Sequence, residues 1–342
     1  MTRVTVLTGG STPERDVAFA GAAQVVSALR ARGHAVTVVD TVEGPLTAET
    51  ERRYLVPSVG RAPPTVEELR LLEERELGPA LVELPELRDA DLIFLVLHGR
   101  PGEGGTIQAL LELAGLVYTG SGPLGSALAM DKDVAKRLCR WAGIPTADWA
   151  VWPASRDAIA ALGYPLVVKP SKAGSTVGLT VARRLDDVGP AVDEALRFDD
   201  EVILEAWLPG RELTVGVVGD RALAVGEIIP AHEIFDYECK YTPGMSREIF
   251  PADLPPELTA RIQSLALAVH RTLKLRDFSR VDFRLDADGT PYCLEANTLP
   301  GLTRTSLLPQ SAVGVGIDFA ELCETLCRLA LRRAGTRNKV GA

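Results

Sequence analysis

The chain opens with short apolar runs that stop at glycine and alternate with longer segments of helical period. Val4–Leu7 is apolar and ends at Gly9-Gly10, the pattern of a buried strand entering a tight turn. Residues 15–32 place Val17, Ala20, Val25 and Leu29 at helical spacing up to Gly33, and Ala35–Val39 is the next strand. Strand, helix, strand predicts the start of a parallel α/β unit. Residues 41–90 have little period and many prolines (Pro57, Pro63, Pro64, Pro79, Pro85), with one helix predicted over 66–76, and read as an insertion in that unit. Leu92–Leu97 is again a buried strand. It delivers His98-Gly99 at its carboxyl end, where open parallel sheets bind ligands.

From about residue 121 the pattern changes. A helix is expected over 130–141, ahead of Gly143-Ile144-Pro145. Strands over 166–169 and 178–181 flank a small-residue loop, an antiparallel arrangement, and a helix at 186–197 with a strand at 202–206 completes an α+β unit. Two alternating strands follow, 212–218 and 222–229. Residues 231–254 have neither period and read as a loop. An amphipathic helix spans 257–273, and strands 278–285 and 291–296 form a hairpin across Asp286–Gly289. Helical sequence continues to Arg333, with 336–342 expected to fray.

At 342 residues the chain can hold several domains with separate cores. Its 37 basic and 46 acidic residues give a formal charge of −9, against the basic face that nucleic-acid binding needs. The N-terminus has no charged and apolar pattern of a signal peptide, and no apolar run approaches a membrane span, so a cytoplasmic location is expected. Cys139, Cys239, Cys293, Cys323 and Cys327 have no disulfide-framework spacing, which predicts a reducing compartment. Cys323 and Cys327 read as buried thiols on one helix face. Cys239 lies in a polar stretch without a nucleophile constellation around it. Only seven of the 37 basic residues are lysines, and several of them fall where chemistry is expected.

Gly120–Gly125 is formally G-x-G-x-x-G, yet Pro123 interrupts it and the next helix leads to Gly-Ile-Pro, so it reads as an interdomain linker. No G-x-x-x-x-G-K-[ST] motif is present. The stretch Lys169–Gly178, with a lysine at a strand end and then a small-residue loop, suits a flexible cover whose N–H groups surround phosphate; a solvated hairpin has the same pattern. On strands, Arg280 and Asp282 share one face, as do Glu295 and Asn297. If those strands pair, two carboxylates, an amide oxygen and a guanidinium converge, an oxygen set suited to Mg²⁺ shared with nucleotide phosphates. The alternative, a solvated charged edge, fits poorly with the apolar neighbours Val281, Phe283, Leu294 and Ala296.

These motifs resemble, in order, those of the D-alanine–D-alanine ligase family of the ATP-grasp superfamily. They are GGSTPERDV (9–17), HGRPGEGG (98–105, continuing to 122), ALAMDKDVAK (127–136), VVKPSKAGSTVG (167–178), LEAWLPGRELTVGV (204–217), FDYECKY (235–241), residues 278–303 and SLLP (306–309). The resemblance implies a three-domain ATP-grasp fold, α/β and α+β. It would comprise an N-terminal parallel, Rossmann-like domain (1–121, with 41–90 an elaboration), a central subdomain (122–208) and a C-terminal subdomain (209–342) with a mobile lid at 231–254. It further implies ATP-dependent joining of two D-alanines through a D-alanyl phosphate and a tetrahedral intermediate, for peptidoglycan precursor synthesis, by a homodimer.

By resemblance, Lys132 and Lys169 hold ATP phosphates under the loop containing Ser175 and Thr176. Glu205 and the backbone at Trp207 and Leu208 receive adenine, and Glu212 the ribose. Asp282, Glu295 and Asn297 bind two Mg²⁺, with Mn²⁺ interchangeable and Glu295 bridging. Glu14 holds the ammonium of the first D-alanine near His98. Ser175 and Tyr241 link Glu14 to the lid that carries Lys240. Arg280 and Gly301 stabilise the tetrahedral intermediate, and Ser306 and Leu307 receive the second carboxylate. The Lys240-Tyr241 pair favours the dipeptide over a D-alanine–D-lactate product. Departures from the family pattern are Ala18, Gly104 and Ile234-Phe235.

Overall fold

The computed structural model describes residues 1–57, 59, 64–242 and 244–340, with Val66, Tyr241 and 336–340 described in backbone only. Three sheets follow one another along the chain. The first is β1 (Arg3–Thr8), β2 (Ala35–Asp40), β3 (Gly44–Pro45) and β4 (Leu92–Leu95), in the order β3-β2-β1-β4. β1 is parallel to both neighbours, pairing Val6 with Val38 and with Phe94. The sheet is mixed rather than wholly parallel, because β3 runs antiparallel along its edge. Apolar side chains fill both faces of the central strands, as continuous apolar runs require.

The second sheet is β5 (Trp149–Val151), β6 (Leu166–Pro170), β7 (Thr180–Ala182) and β8 (Val202–Ala206), ordered β5-β8-β6-β7 and antiparallel throughout. The third is β9 (Arg211–Val218), β10 (Arg221–Pro230), β11 (Ser246–Ile249), β12 (Phe278–Leu285) and β13 (Pro291–Asn297), ordered β11-β10-β9-β12-β13. β12 lies between β9 and β13. Its register sets Asp282 opposite Glu295 and Arg280 opposite Asn297, with an irregularity just after Asp282. The turn before β13 closes through Gly289 at φ 75°, a conformation in which glycine has no Cβ penalty. Val281 and Phe283 are fully buried on the opposite face. Each such side chain contributes about 1.5–3 kcal/mol toward fixing which face the carboxylates take.

Four expectations differ from the structure. The 41–90 stretch holds the helix expected there, as Val66–Glu73, but also helices at Ala48–Tyr54 and Pro85–Arg88 and a 3₁₀ turn at Gly78–Glu83. Capping boxes at Thr47 and Thr65 start two of them, so local caps do what a periodic apolar face would do in a longer helix. Of its six prolines, Pro63 lies outside the described residues. The 231–254 loop contains a one-turn helix, Tyr237–Tyr241, capped by Asp236, and the edge strand β11; both are too short to show a period. The helix at 130–141 is two, Pro123–Met130 and Lys132–Trp141, separated at Asp131, whose carboxylate accepts the Val134 N–H at 3.0 Å. At the C-terminus the helix Phe319–Val340 continues through the region expected to fray; Gly341 and Ala342 lie outside the described residues.

Each sheet has its own buried cluster. The first cluster also takes in Leu322, Cys323, Leu326 and Cys327, so the last helix of the chain packs on the first sheet. All five cysteines are buried and unpaired. Among the described residues, no helix is long and apolar enough to cross a membrane.

Candidate active site

The site lies where the three sheets meet, in two cavities that share one wall. The first is lined by Lys132, Lys169, Glu205, Glu212, Asp282 and Glu295, and the second by Glu14, His98, Glu103, Asn297, Gly301 and Ser306. Gly174, Ser175, Phe235, Lys240, Arg280, Glu295 and Leu307 line both. The wall between the cavities therefore holds two cations and the carboxylate of Glu295.

In the first cavity, Lys132 opens its helix with Nζ 2.7 Å from the Ala173 carbonyl oxygen and 3.4 Å from Glu295. Lys169, at the end of β6, reaches Glu205 at 2.6 Å. Lys136, one helical turn beyond Lys132, also bonds Glu205 and lies 2.8 Å from the Thr146 hydroxyl. Burial raises the Glu205 carboxyl pKa, but the two lysines outweigh it and hold it at about 2. Lys136 was not among the residues singled out from the sequence. Its signal was there, a second lysine four positions after Lys132 on the same helical face. Lys172 turns outward instead, to Asp200 at 2.9 Å. Glu212 pairs with Arg284 at 3.0 Å, and that guanidinium lies over the Trp207 ring, 5.8 Å from its centroid.

The loop above this cavity is tied at two strained positions. Ser175 and Thr176 have φ of 52° and 62°, a region that costs a residue with a Cβ on the order of 1 kcal/mol. The Ser175 hydroxyl bonds Glu14, and the Thr176 hydroxyl donates to the Phe235 carbonyl oxygen at 3.0 Å. Those bonds join the loop to the N-terminal turn and to the 231–254 segment. Lys240 lies over the Phe235 ring at 5.4 Å. Tyr241 ends the one-turn helix, and its side chain lies outside the described residues.

On β12 and β13, Arg280 grips Asp282 with contacts of 2.8–3.2 Å. Asp282 also accepts from the Thr214 hydroxyl at 2.7 Å and from Asn297 Nδ2 at 3.0 Å. That bond turns the Asn297 amide nitrogen toward Asp282 and leaves its oxygen for another partner. Burial works against the Glu295 charge, yet Lys132, Lys240, Lys169 and Arg280 hold its pKa at about 2. Oxygen donors from Asp282, Glu295 and Asn297 on facing strands form a set whose chemistry fits Mg²⁺.

In the second cavity Glu14 precedes the helix Arg15–Ala31, just after the Gly9-Gly10 turn. His98 follows β4 in extended backbone. Its Nε2 is buried and has no hydrogen-bond partner among the described residues. Burial lowers the His98 pKa, so the imidazole is neutral and able to accept or donate to a ligand. Glu103, also not singled out from the sequence, accepts the Gly99 and Leu299 N–H groups at 3.1 Å each. Burial and then Glu14 push its pKa up to about 7. Ser306 stands against Gly301, where a Cβ would come within 2.8 Å of its hydroxyl oxygen, and Leu307 begins the next helix. Pro57 and Val59 reach this cavity from the 41–90 stretch.

Comparison with known proteins covers nearly the whole chain. The family model described as D-ala D-ala ligase N-terminus matches residues 3–121, and that described as D-ala D-ala ligase C-terminus matches 135–328. A D-alanine–D-alanine ligase of Nitratidesulfovibrio vulgaris (strain DP4) is 41% identical over 339 residues, covering 97% of this chain and 99% of the relative. The crystal structure of D-alanine–D-alanine ligase from Bacillus anthracis complexed with ATP superposes with a TM-score of 0.77 at 28% identity, over 98% of this chain and 100% of that one. The VanG D-Ala:D-Ser ligase from Enterococcus faecalis gives the same TM-score at 28% identity, over 96% and 99%.

Proposed function

The chain belongs to the D-alanine–D-alanine ligase family of ATP-dependent, C–N bond-forming ligases, and we propose that it joins two D-alanines with the two adjoining cavities in separate roles. The first cavity takes ATP and the second takes the amino acids. The observation that carries this reading is the shared wall, where Lys240, Arg280 and Glu295 face both cavities. A γ-phosphoryl group must cross such a boundary to reach a carboxylate.

A carboxylate is a poor electrophile until it is phosphorylated. Lys132 and Lys169 bind and orient the phosphates from below, and the 171–178 loop covers them from above. Glu205 holds the two lysines of its buried cluster in place and, with the backbone at Trp207 and Leu208, borders the adenine; Glu212 takes the ribose. Asp282, Glu295 and Asn297 are the residues that would hold Mg²⁺, which when bound offsets phosphate charge. Glu14 holds the ammonium of the first D-alanine beside His98. Arg280 and the Gly301 backbone supply donors to the oxyanion formed when the second amine attacks, and Ser306 with Leu307 receives the second carboxylate. Most of this catalysis is positioning and charge stabilisation. Enclosure by the lid, 231–254, protects the acyl phosphate from water, and in this reading Ser175 and Tyr241 link Glu14 to that lid, which carries Lys240.

The same reading divides the chain at 121 and 208, with the last helix crossing back to the first unit. It also includes peptidoglycan precursor synthesis, the cytoplasm as its place and a homodimer as its assembly. The test is ADP release by the purified protein with Mg·ATP. D-alanine alone should support turnover and yield D-alanyl-D-alanine. Faster turnover with L-amino acids, or a mixed product with D-lactate or D-serine in preference to the dipeptide, overturns the assignment.

A further inference from the structure

The lid brings together three side chains for which the ligase reading has no use. His232, Asp236 and Cys239 are spaced i, i+4 and i+7, and one potential ligand atom from each lies within 4.8 Å of the other two. His232 Nδ1 is 2.8 Å from Asp236 Oδ2, while Asp236 Oδ1 accepts the Cys239 N–H at 2.9 Å. Cys239 is buried. Burial and the neighbouring Asp236 carboxylate raise its thiol pKa, against the backbone contacts of His232 and Ala231, so without an ion the sulfur keeps its proton. Among the described residues this is the one group of three His, Cys, Asp or Glu side chains close enough to share an ion.

We propose that His232, Asp236 and Cys239 form a three-ligand Zn²⁺ site on the lid. An imidazole nitrogen, a thiolate and a carboxylate suit a borderline-soft d¹⁰ ion, whereas Mg²⁺ and Ca²⁺ select all-oxygen sets. Zn–N and Zn–S bonds of about 2.0–2.3 Å set tetrahedral ligands about 3.3–3.7 Å apart, so the longest separation closes by about 1 Å. His232 has the freedom to make that move, with its side chain 38% exposed. On binding, the Cys239 thiol gives its proton to solvent and the sulfur bonds the ion, while the proton that His232 Nδ1 shares with Asp236 passes to solvent, or to Nε2, to free a lone pair for the metal. Asp236 Oδ2 turns from the imidazole to the metal while Oδ1 keeps its cap on the Cys239 N–H. Water completes the fourth position.

The three ligands bracket Phe235 and immediately precede Lys240. Occupancy therefore clips the start of the lid to its one-turn helix and stiffens the segment that carries Lys240 to the shared wall. The site is separate from the Asp282, Glu295 and Asn297 set and does not rest on the ligase reading. A search for paired Cys and His spacing misses it, because one ligand is a carboxylate and all three lie within eight residues.

The experiment is a Co²⁺ titration of the full-length, metal-free protein without nucleotide or amino acid. The expected result is a near-ultraviolet thiolate-to-cobalt charge-transfer band that saturates at one ion per chain and is displaced by Zn²⁺. Cys239→Ala should abolish the band. His232→Ala, at a more exposed position, should weaken Zn²⁺ affinity at least about tenfold, as should Asp236→Asn, which keeps the helix cap and loses the charge. Zn²⁺ should also slow amide exchange over 231–241 in the wild type and leave it unchanged in Cys239→Ala. No band, or a band that survives Cys239→Ala and so belongs to one of the other four cysteines, overturns the proposal. So does Zn²⁺ affinity that is unaffected by both His232→Ala and Asp236→Asn.

Discussion

Glu103, Glu205 and Glu295 are carboxylates that burial would raise, and their neighbours send them in different directions. Two lysines hold Glu205 at about 2, and four cations do the same for Glu295. Glu103 faces Glu14 across the second cavity, with only Arg280 and two backbone N–H groups against that repulsion, and rises to about 7. A carboxyl raised on folding contributes stability below its unfolded pKa and loses it as pH climbs through the folded value, here between about 4.5 and 7. Glu103→Gln should remove that loss, so its stability relative to wild type should improve by up to about 3 kcal/mol between pH 5 and pH 8, read from urea unfolding at both pH values. A parallel offset at the two pH values contradicts the raised pKa. Glu295→Gln tests the opposite case. It keeps the shape and removes the charge that Lys132, Lys169, Lys240 and Arg280 surround. Turnover should fall by about 10²–10³-fold while far-ultraviolet circular dichroism shows the chain still folded, with a lower thermal midpoint from the four cations left without their carboxylate. Wild-type turnover would remove Glu295 from the metal and phosphate machinery.

At the scale of elements, alternation made the 278–297 hairpin legible, because a half-buried strand exposes every second residue and turn chemistry marks its end. A regular ladder from that turn would set Asp282 opposite Leu294; the irregularity after Asp282 shifts the register by one residue and brings Glu295 opposite it instead. The helix at 66–73 was legible over 66–76, but the other short pieces were not. The helix at 48–54 depends on a capping threonine and the one at 237–241 on Asp236, neither of which leaves a period. The loop at 171–178 shows what an element can do that its composition does not announce. Its small residues suggested freedom, yet Ser175 and Thr176 are held at positive φ by bonds to Glu14 and Phe235. Ser175→Ala deletes the first tie and leaves the backbone cost in place. The loop should then cover the phosphates less often, lowering kcat and raising the KM for D-alanine, together about tenfold in kcat/KM. Unchanged constants for both ATP and D-alanine would mean the tie does not govern closure. Gly210 is the complementary case. It has φ 129°, and a Cβ there would collide with the Leu285 carbonyl oxygen where β9 meets β12. Gly210→Ala should cost about 2–4 kcal/mol in thermal or urea unfolding, through the strand that carries Glu212 and Thr214.

Across the whole molecule, the order of motifs along the chain does not say how its two ends meet. Periodicity describes a helix's own faces and says nothing of which distant core it enters. The helix Phe319–Val340 returns to the first sheet, and Arg333 fixes it there: its guanidinium bonds Asp277 and donates to the Tyr118 carbonyl oxygen at 2.6 Å. Asp277 in turn accepts the Gly120 N–H at 2.9 Å, next to the strand that carries Arg280 and Asp282. One buried carboxylate thus joins the last helix, the segment after β4 and the start of β12. Arg333→Met keeps most of the stem's packing and strands the Asp277 charge, whose side chain is 6% exposed. The cost should be about 3–5 kcal/mol, seen as a lowered thermal midpoint. Asp277→Asn on that background should recover part of it, since a neutral amide oxygen still accepts from Gly120 without a buried charge to satisfy. The double-mutant cycle should therefore give a coupling of at least about 1 kcal/mol. If the two substitutions were simply additive, the junction would rest on apolar packing alone, and the bond between Arg333 and Asp277 would be incidental to how the three units are held around the site.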